Sequence, residues 1–200
     1  MSNKQTILIA TTNKDKIIEF KEILKDYNVL SLLDINFKED IVENGNTYLE
    51  NSLIKLHKLK EIHKDTIIIA DDSGLEIEAL PDMMGVQSHR FLGEDIDINI
   101  KIDTILKMME NESNRNAKHK VCLSIYIPNI NVIYVIDETV IGKISNRAKG
   151  ENSFAYDKIF IDLETNKTYG ELSFAEKNMV SARGLACNKV KEILKISKEM

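Results

Sequence analysis

Apolar runs rich in β-branched residues alternate with helix-like patterns through the first half of this chain. Residues 6–11 and 29–33 have the composition of strands, and residues 14–26 between them carry apolar side chains at helical spacing. Alternation of strands with helices is typical of α/β proteins. The pattern therefore predicts an α/β fold.

The rest of the chain continues this mixture. Thr47 opens a Thr-x-x-Glu capping box, so we expect a helix from there to about His63. Ser173 opens a second capping box, before a carboxyl-terminal helix that restarts near Val180. We also expect a loop at 81–93 and a helix at 96–112. Further strands are expected at 75–80, 121–127, 131–141 and 156–161. The strands at 121–127 and 131–141 are expected to form a hairpin.

The composition favours one compact chain with a small-molecule partner. A chain of 200 residues, 43% of them hydrophobic, can bury a substantial core. Because no repeat or flexible linker marks an internal boundary, residues 1–200 are expected to form a single domain, with room for two lobes. The net charge of -5 argues against a nucleic-acid partner, although it allows a small basic pocket for an anionic ligand.

The cysteines and the amino terminus indicate a cytoplasmic protein. Cys122 and Cys187 lie in apolar runs, as reduced intracellular thiols do. The apolar stretch at 6–10 is too short for a signal-peptide core or a membrane span, and no longer stretch follows. We therefore expect no membrane partner.

An acidic pair follows the most β-like run of the chain. Residues 67–70 are apolar and lead into Asp71, Asp72, Ser73 and Gly74. Ligands collect at the carboxyl ends of strands in α/β sheets, and carboxylates are preferred ligands of magnesium. Asp, Ser and Gly are also common turn residues. From these positions alone, a metal site and a polar turn are equally compatible with the sequence.

Two further segments have the residue types of a phosphate site. Thr11, Asn13 and Lys16 lie where a strand passes into a helix, whose amino terminus favours anions; the alternative is an ordinary helix cap. In the next helix, Lys55 belongs to a polar stripe with Thr47 and Asn51, and Glu43 precedes that helix. The buried face of this helix is expected to be Leu49, Leu53 and Leu56. The alternative for the stripe is a solvated surface.

Aromatic and basic residues late in the chain are candidates for contacts with a base. Phe154 and Tyr156 offer rings for stacking beside Asp157, or they form an edge strand with core aromatics. Lys177 and Arg183 form a cationic pair that is able to bind phosphate or a base edge, although basic residues are common on helix surfaces.

Six motifs in this order closely resemble the inosine/xanthosine triphosphate pyrophosphatase family, over almost the whole chain. They are residues 11–16 (TTNKDK), 43–55 (ENGNTYLENSLIK), 70–75 (ADDSGL), 88–93 (SHRFLG), 154–157 (FAYD) and 176–183 (EKNMVSAR). The resemblance implies a magnesium-dependent, homodimeric, cytoplasmic hydrolase. Such an enzyme converts ITP, dITP and XTP to the monophosphate and pyrophosphate. The implied fold is elongated and α/β, with two lobes and a long curved mixed sheet around a substrate cleft.

The resemblance also implies roles for individual residues. Glu43 and Asp72 would hold magnesium, and Asp72 would be the base that activates water. The triphosphate would be bound by Thr11, Asn13, Lys16 and Lys55. The remaining nucleotide contacts would come from Ser73, Phe154, Tyr156, Asp157, Lys177 and Arg183.

The chain departs from the family pattern on the base side. Ser153 stands where the family usually has glycine, and Ala182 stands where it has histidine. Loss of the imidazole removes a hydrogen-bond donor for a 6-keto purine, worth about 0.5 to 1.5 kcal/mol. Two alternatives therefore accompany the main hypothesis: a member of the family with another base specificity, and a non-catalytic nucleotide-binding or sensing protein.

Overall fold

The computed structural model describes residues 4–81, 83–93, 95–151 and 154–198. In these ranges the strands are β1 (Thr6–Ile9), β2 (Asn28–Ser31), β3 (Ile67–Ile77), β4 (Asn116–Ile127), β5 (Val132–Ile144), β6 (Phe160–Asp162) and β7 (Lys167–Thr168). The α-helices are α1 (Lys14–Ile23), α2 (Tyr48–Ile62), α3 (Ile98–Met108), α4 (Phe174–Val180) and α5 (Ala182–Ser197). The predicted α/β fold is confirmed. No helix in the described ranges has the length and apolar character needed to cross a membrane.

The strands form one mixed sheet in the order β2-β1-β3-β4-β5-β6-β7. The early strands are parallel, since β1 pairs in this sense with both β2 and β3. The late strands are antiparallel, with β6 between β5 and β7. The order β-α-β at the start of the chain accounts for the parallel part, because parallel neighbours need a crossover connection.

The chain divides into two compact units. The first comprises the chain up to Asp72, Val121–Glu138 and the chain from Arg183 onward. The second comprises Ser73–Lys120 and Thr139–Ala182. The single domain over residues 1–200 stays a prediction.

Helix α2 covers one face of the strands in the first unit. Leu56 and Leu59 of α2 are fully buried and belong to the same apolar cluster as Leu8, Ile68 and Ala70 of the strands. Ile68 and Ala70 share one face of β3, because side chains alternate along a strand. Asp72 has the same parity, so it also faces α2.

The second unit has its own apolar core, built around β3, α3 and β6. Leu75 and Ile77 of β3 cluster with Ile102 and Ile105 of α3 and with Phe160 of β6. All five side chains are buried. This core holds the carboxyl half of β3 in place.

The strand does not end at the acidic pair. β3 runs without a break from Ile67 to Ile77, so the separate strand predicted at 75–80 and the alternative of a polar turn are both wrong. Asp71 is 1% exposed and Asp72 is 8% exposed, in the interior of the strand. Aspartate favours turns because it needs water or local hydrogen bonds, and here other elements supply the partners instead.

The buried face of α2 also differs from the prediction. Leu49 is 41% exposed, whereas Asn51 and Lys55 of the polar stripe are buried. The alternative of a solvated stripe is therefore wrong for these two residues, and Thr47 at the start of the stripe is exposed. Burial of these polar groups is tolerated because each has a hydrogen-bond or charge partner within the first unit.

One shorter strand begins later than predicted. Residues 156–159, predicted as strand, form turns closed by hydrogen bonds from Asp157 N to Phe154 O and from Ile159 N to Tyr156 O. Ala155 has a φ of 46°, which interrupts an extended chain. By contrast, the capping boxes at Thr47 and Ser173 are both present.

Substitution of leucines on opposite sides of α2 tests this orientation. Leu56→Ala is expected to lower the free energy of unfolding by about 2 to 5 kcal/mol, because it leaves a cavity in the core. The control Leu49→Ala, on the exposed side, is expected to change it by less than about 0.5 kcal/mol. Denaturant unfolding of both variants measures the difference. Equal losses would contradict the orientation.

Candidate active site

Asp71 and Asp72 are neighbours in β3 and therefore point to opposite faces of the sheet. Asp71 contacts Lys16 of α1 and Arg183 of α5. Asp72 contacts Asn51 and Lys55 of α2. All these residues belong to the first unit. The two aspartates therefore have separate sets of direct contacts.

Asp71 is the centre of a buried network of alternating charges. Arg183 Nε lies 3.2 Å from Asp71 Oδ2, and Arg183 Nη2 lies 3.4 Å from Asp71 Oδ1. Lys16 Nζ also donates to Asp71 Oδ1, and Arg183 Nη1 donates to Glu19. The order Lys16, Asp71, Arg183, Glu19 therefore places each charge beside one of opposite sign.

This network keeps Asp71 ionised. Burial alone would raise the pKa of the Asp71 carboxyl, but Arg183 and Lys16 outweigh burial and hold it well below its usual range. A carboxylate with so low a pKa is a poor proton acceptor at neutral pH. Asp71 is therefore suited to holding cations in place.

Asp72 has the opposite electrostatic environment. Burial raises its pKa, and the nearby Lys55 and Lys16 only partly oppose this effect. Lys55 Nζ lies 4.0 Å from Asp72 Oδ1, and Asn51 Nδ2 donates to Asp72 Oδ2 at 3.1 Å. A carboxyl group with a raised pKa accepts a proton more readily. Of the two aspartates, Asp72 is the one suited to act as a base.

Lys55 links Asp72 to a second acid, Glu43. Lys55 Nζ donates to Glu43 Oε2 at 2.7 Å, and the lysine side chain is 8% exposed. The ammonium group of Lys55 thus has a carboxylate on either side, from Glu43 and from Asp72. The described residues contain no group of three His, Cys, Asp or Glu side chains able to hold a metal. The carboxylate oxygens of Glu43 and Asp72 are the type of ligand that hard divalent cations take in proteins.

The candidate phosphate-binding residues lie together after β1. Asn13 Oδ1 caps α1 by accepting from Asp15 N at 3.0 Å and Lys16 N at 3.1 Å, and Thr11 Oγ1 accepts from Asn13 N at 3.1 Å. The alternative of a helix cap is thus correct for Asn13. A capped helix amino terminus with a lysine beside it remains compatible with an anion.

Four of the base-side candidates belong to the second unit: Phe154, Tyr156, Asp157 and Lys177. Two of them, Asp157 and Lys177, form a buried ion pair. Lys177 Nζ lies 2.5 Å from Asp157 Oδ2 and 5.0 Å from the ring centre of Phe154. Tyr156 lies in the core of this unit and donates from its hydroxyl to Ser88 O at 2.6 Å. Burial raises the pKa of Tyr156 to about 12, so its hydroxyl stays protonated. For Tyr156, the alternative interpretation as a core aromatic residue is therefore correct.

The remaining sequence-predicted positions have other surroundings. Arg183 belongs to the first unit, where it bonds Asp71 and Glu19. Ser73 is half-buried in β3, directly after Asp72. Ala182 is fully buried at the start of α5, and Ser153 lies outside the described residues.

Sequence reasoning missed two members of these networks, Glu19 beside Arg183 and Asn51 beside Asp72. Glu19 is only 2% exposed, and its position three residues after Lys16 on α1 was the available signal. Asn51 was identified as part of the polar stripe, but nothing in the sequence paired it with Asp72. Both contacts join residues distant in the chain, so local spacing could not show them.

Comparison with known proteins gives one consistent result. The sequence profile described as the Ham1 family matches residues 7–193. The chain is 38% identical to the dITP/XTP pyrophosphatase of Bacillus subtilis over 192 residues, covering 94% of this chain and 96% of the relative. It is 37% identical over 193 residues to the dITP/XTP pyrophosphatase of Bacillus licheniformis, covering 94% of this chain and 97% of the relative.

Solved structures show the same likeness. The Ham1 protein of Staphylococcus aureus superposes on this chain with a TM-score of 0.83 at 33% identity. The match covers 96% of this chain and 100% of the Staphylococcus aureus protein. A nucleoside-triphosphatase, dITP/XTP pyrophosphatase, from Mycobacterium abscessus gives a TM-score of 0.70 at 30% identity, covering 93% of this chain and 98% of that one.

Removal of Arg183 tests the buried network. Arg183→Met is expected to lower the free energy of unfolding by about 3 kcal/mol, because it leaves Glu19 and Asp71 buried without their shared cation. Lys189, on the same helix, pairs with Glu138 and has a side chain that is 62% exposed, so Lys189→Met is the matched control. The control is expected to cost less than about 1 kcal/mol. Denaturant unfolding compares them, and an equally small loss for Arg183→Met would contradict the role of the network.

Proposed function

This chain belongs to the Ham1 family, and from that premise we propose that it hydrolyses the non-standard purine nucleotides ITP, dITP and XTP. The products are the nucleoside monophosphate and pyrophosphate, so the activity removes such nucleotides from the precursor pool. The observation that carries the proposal is the pair Asp71 and Asp72, whose pKa values shift in opposite directions beside Lys16, Lys55 and Glu43. Both Bacillus relatives are named dITP/XTP pyrophosphatase, which supports this substrate class.

In the proposed reaction, water cleaves the anhydride bond between the α- and β-phosphates. Asp72 accepts a proton from the attacking water, for which its raised pKa is suited. Lys16 and Lys55 lie near Asp72 and neutralise negative charge that develops on the phosphate oxygens. Asp71 holds Lys16 from the other face of β3. Loss of Asp71 would therefore displace a phosphate-binding group without removing the base.

The donor set of Glu43 and Asp72 fits a Mg²⁺ ion. When bound, the ion would neutralise phosphate charge and help position the triphosphate. Lys55 bonds Glu43 and lies near Asp72, so it keeps the two carboxylates close in spite of their mutual repulsion.

The remaining substrate contacts follow from the resemblance. Thr11 and Asn13 would bind the triphosphate together with the amino terminus of α1. Ser73 would support the nucleotide. The base end would be contacted by Phe154, Tyr156, Asp157, Lys177 and Arg183. For Tyr156 and Arg183 we propose an indirect contribution, because Tyr156 bonds Ser88 and Arg183 bonds Asp71.

We further propose that the protein is a cytoplasmic homodimer. Cys122 and Cys187 are free and buried, which suits a reducing compartment. Sedimentation of the purified chain, whose mass is 22.8 kDa, distinguishes a dimer from a monomer.

A panel of nucleoside triphosphates tests the reaction and the choice of base together. We expect Mg²⁺-dependent release of monophosphate and pyrophosphate, with ITP, dITP and XTP preferred over ATP, GTP and pyrimidine nucleotides. Product identification by chromatography measures this outcome. Preference for a standard or pyrimidine nucleotide would instead favour the drifted member suggested by Ala182, and tight nucleotide binding without turnover would favour a sensing protein.

Substitution of the proposed base tests the mechanism. Asp72→Asn is expected to lower kcat by about 100- to 10,000-fold, because the amide cannot accept the proton from water. The exposed Asp103 of α3 provides the matched control, and Asp103→Asn is expected to keep full activity. Pyrophosphate release is measured alongside thermal unfolding. A folded Asp72→Asn variant with full activity would reject Asp72 as the base.

A further inference from the structure

We propose that Asn51 is a positioning residue that fixes the orientation of the Asp72 carboxylate, an inference that rests on the proposed function. Asn51 lies in the first turn of α2 and is 2% exposed. Its side chain makes one hydrogen bond to Asp72 and one to the backbone of Gly45, two residues after Glu43. None of the roles assigned above gives Asn51 a contact with the triphosphate or the nucleobase of the substrate. Its contribution is to hold the reacting carboxylate in one rotational state.

The backbone of Gly45 determines which way the Asn51 amide points. Gly45 N donates to Asn51 Oδ1 at 2.8 Å. A backbone N–H can only donate, so the atom that faces it must be the amide oxygen. The amide nitrogen is therefore directed to Asp72 Oδ2, 3.1 Å away, and the reverse orientation would place two donors against each other.

This contact gives the two carboxylate oxygens of Asp72 different surroundings. With Oδ2 held by Asn51, Oδ1 of Asp72 is the atom that lies 4.0 Å from Lys55 Nζ. Free rotation of the carboxyl group would exchange the two oxygens and misalign the lone pairs that accept the proton. A fixed donor on one oxygen removes that freedom, in the way that supporting hydrogen bonds orient reactive carboxylates elsewhere.

The same contact ties the segment that carries Glu43 to the site. The Glu50 carboxylate accepts from Asn46 N at 2.6 Å and from Thr47 N at 3.1 Å, which fastens this segment to the start of α2. Gly45 lies against the same turn so closely that a Cβ there would come within 2.6 Å of Glu50 Cβ and 2.8 Å of Asn51 Oδ1. Only glycine allows this approach. Asn51 thus links the segment of Glu43 to Asp72 through one side chain.

Asn51→Asp tests the proposal, because it keeps the size of the side chain and the acceptor for Gly45 but removes the donor to Asp72. We expect kcat to fall about 10- to 100-fold, the loss typical of removing a group that orients a reactive ligand. The Kd for a non-hydrolysable ITP analogue should stay within about threefold of the native value, since no substrate contact is lost. Asn44→Ala, at an exposed position in the same segment, is the control with native kcat.

Gly45→Ala disturbs the contact of Asn51 with Gly45, because the added Cβ would crowd Asn51 Oδ1. This variant replaces Asn51→Asp in the test if Asn51→Asp does not fold. It is expected to lower kcat with the same small effect on analogue affinity. Thermal unfolding of each variant shows that the protein measured is folded. A native kcat in a folded variant, or a loss of analogue affinity as large as the loss of kcat, would overturn the positioning role while leaving the proposed function intact. A native protein that hydrolyses no nucleotide of the panel would overturn both.

Discussion

Two adjacent carboxylates lie inside one buried strand, and each must be compensated from its own side of the sheet. Moving a carboxylate out of water costs several kcal/mol unless charges or hydrogen bonds replace the water. Because side chains alternate along β3, the direct contacts of Asp71 and Asp72 come from different helices. The helices of the first unit are arranged accordingly: α1 and α5 bring Lys16 and Arg183 to Asp71, and α2 brings polar groups to Asp72.

This arrangement also gives the two acids different chemistry. Two cations stabilise the charge of Asp71, so its pKa falls in spite of burial. Lys55, 4.0 Å from Asp72, and Lys16 only partly oppose the effect of burial, and the remaining contact is a neutral amide, so the pKa of Asp72 rises. The pKa values of these sequence neighbours therefore shift in opposite directions. The difference follows from which helix each faces, since the two side chains are chemically identical.

Much of the fold was predictable because its signals are local. The strand–helix alternation at residues 6–33 and the capping boxes at Thr47 and Ser173 depend on residues close in the chain. The expectations that failed depended on tertiary partners. Leu49 of α2 was expected to be buried but is exposed, and Lys55, for which a solvated surface was the alternative, is buried beside Asp72 and Glu43. The break expected after the acidic pair is absent for the same reason.

Residue types at fixed spacing were enough to predict the α/β class, the candidate acids and lysines, and the family. The contacts of those residues depend on how the helices and the sheet pack. Packing pairs Asp71 with Arg183, 112 residues away, and Asp72 with Asn51, 21 residues away. Such contacts come from packing helices against a sheet, and local spacing does not specify them. The same packing sets the pKa of each aspartate, which no pattern of neighbouring residues could have given.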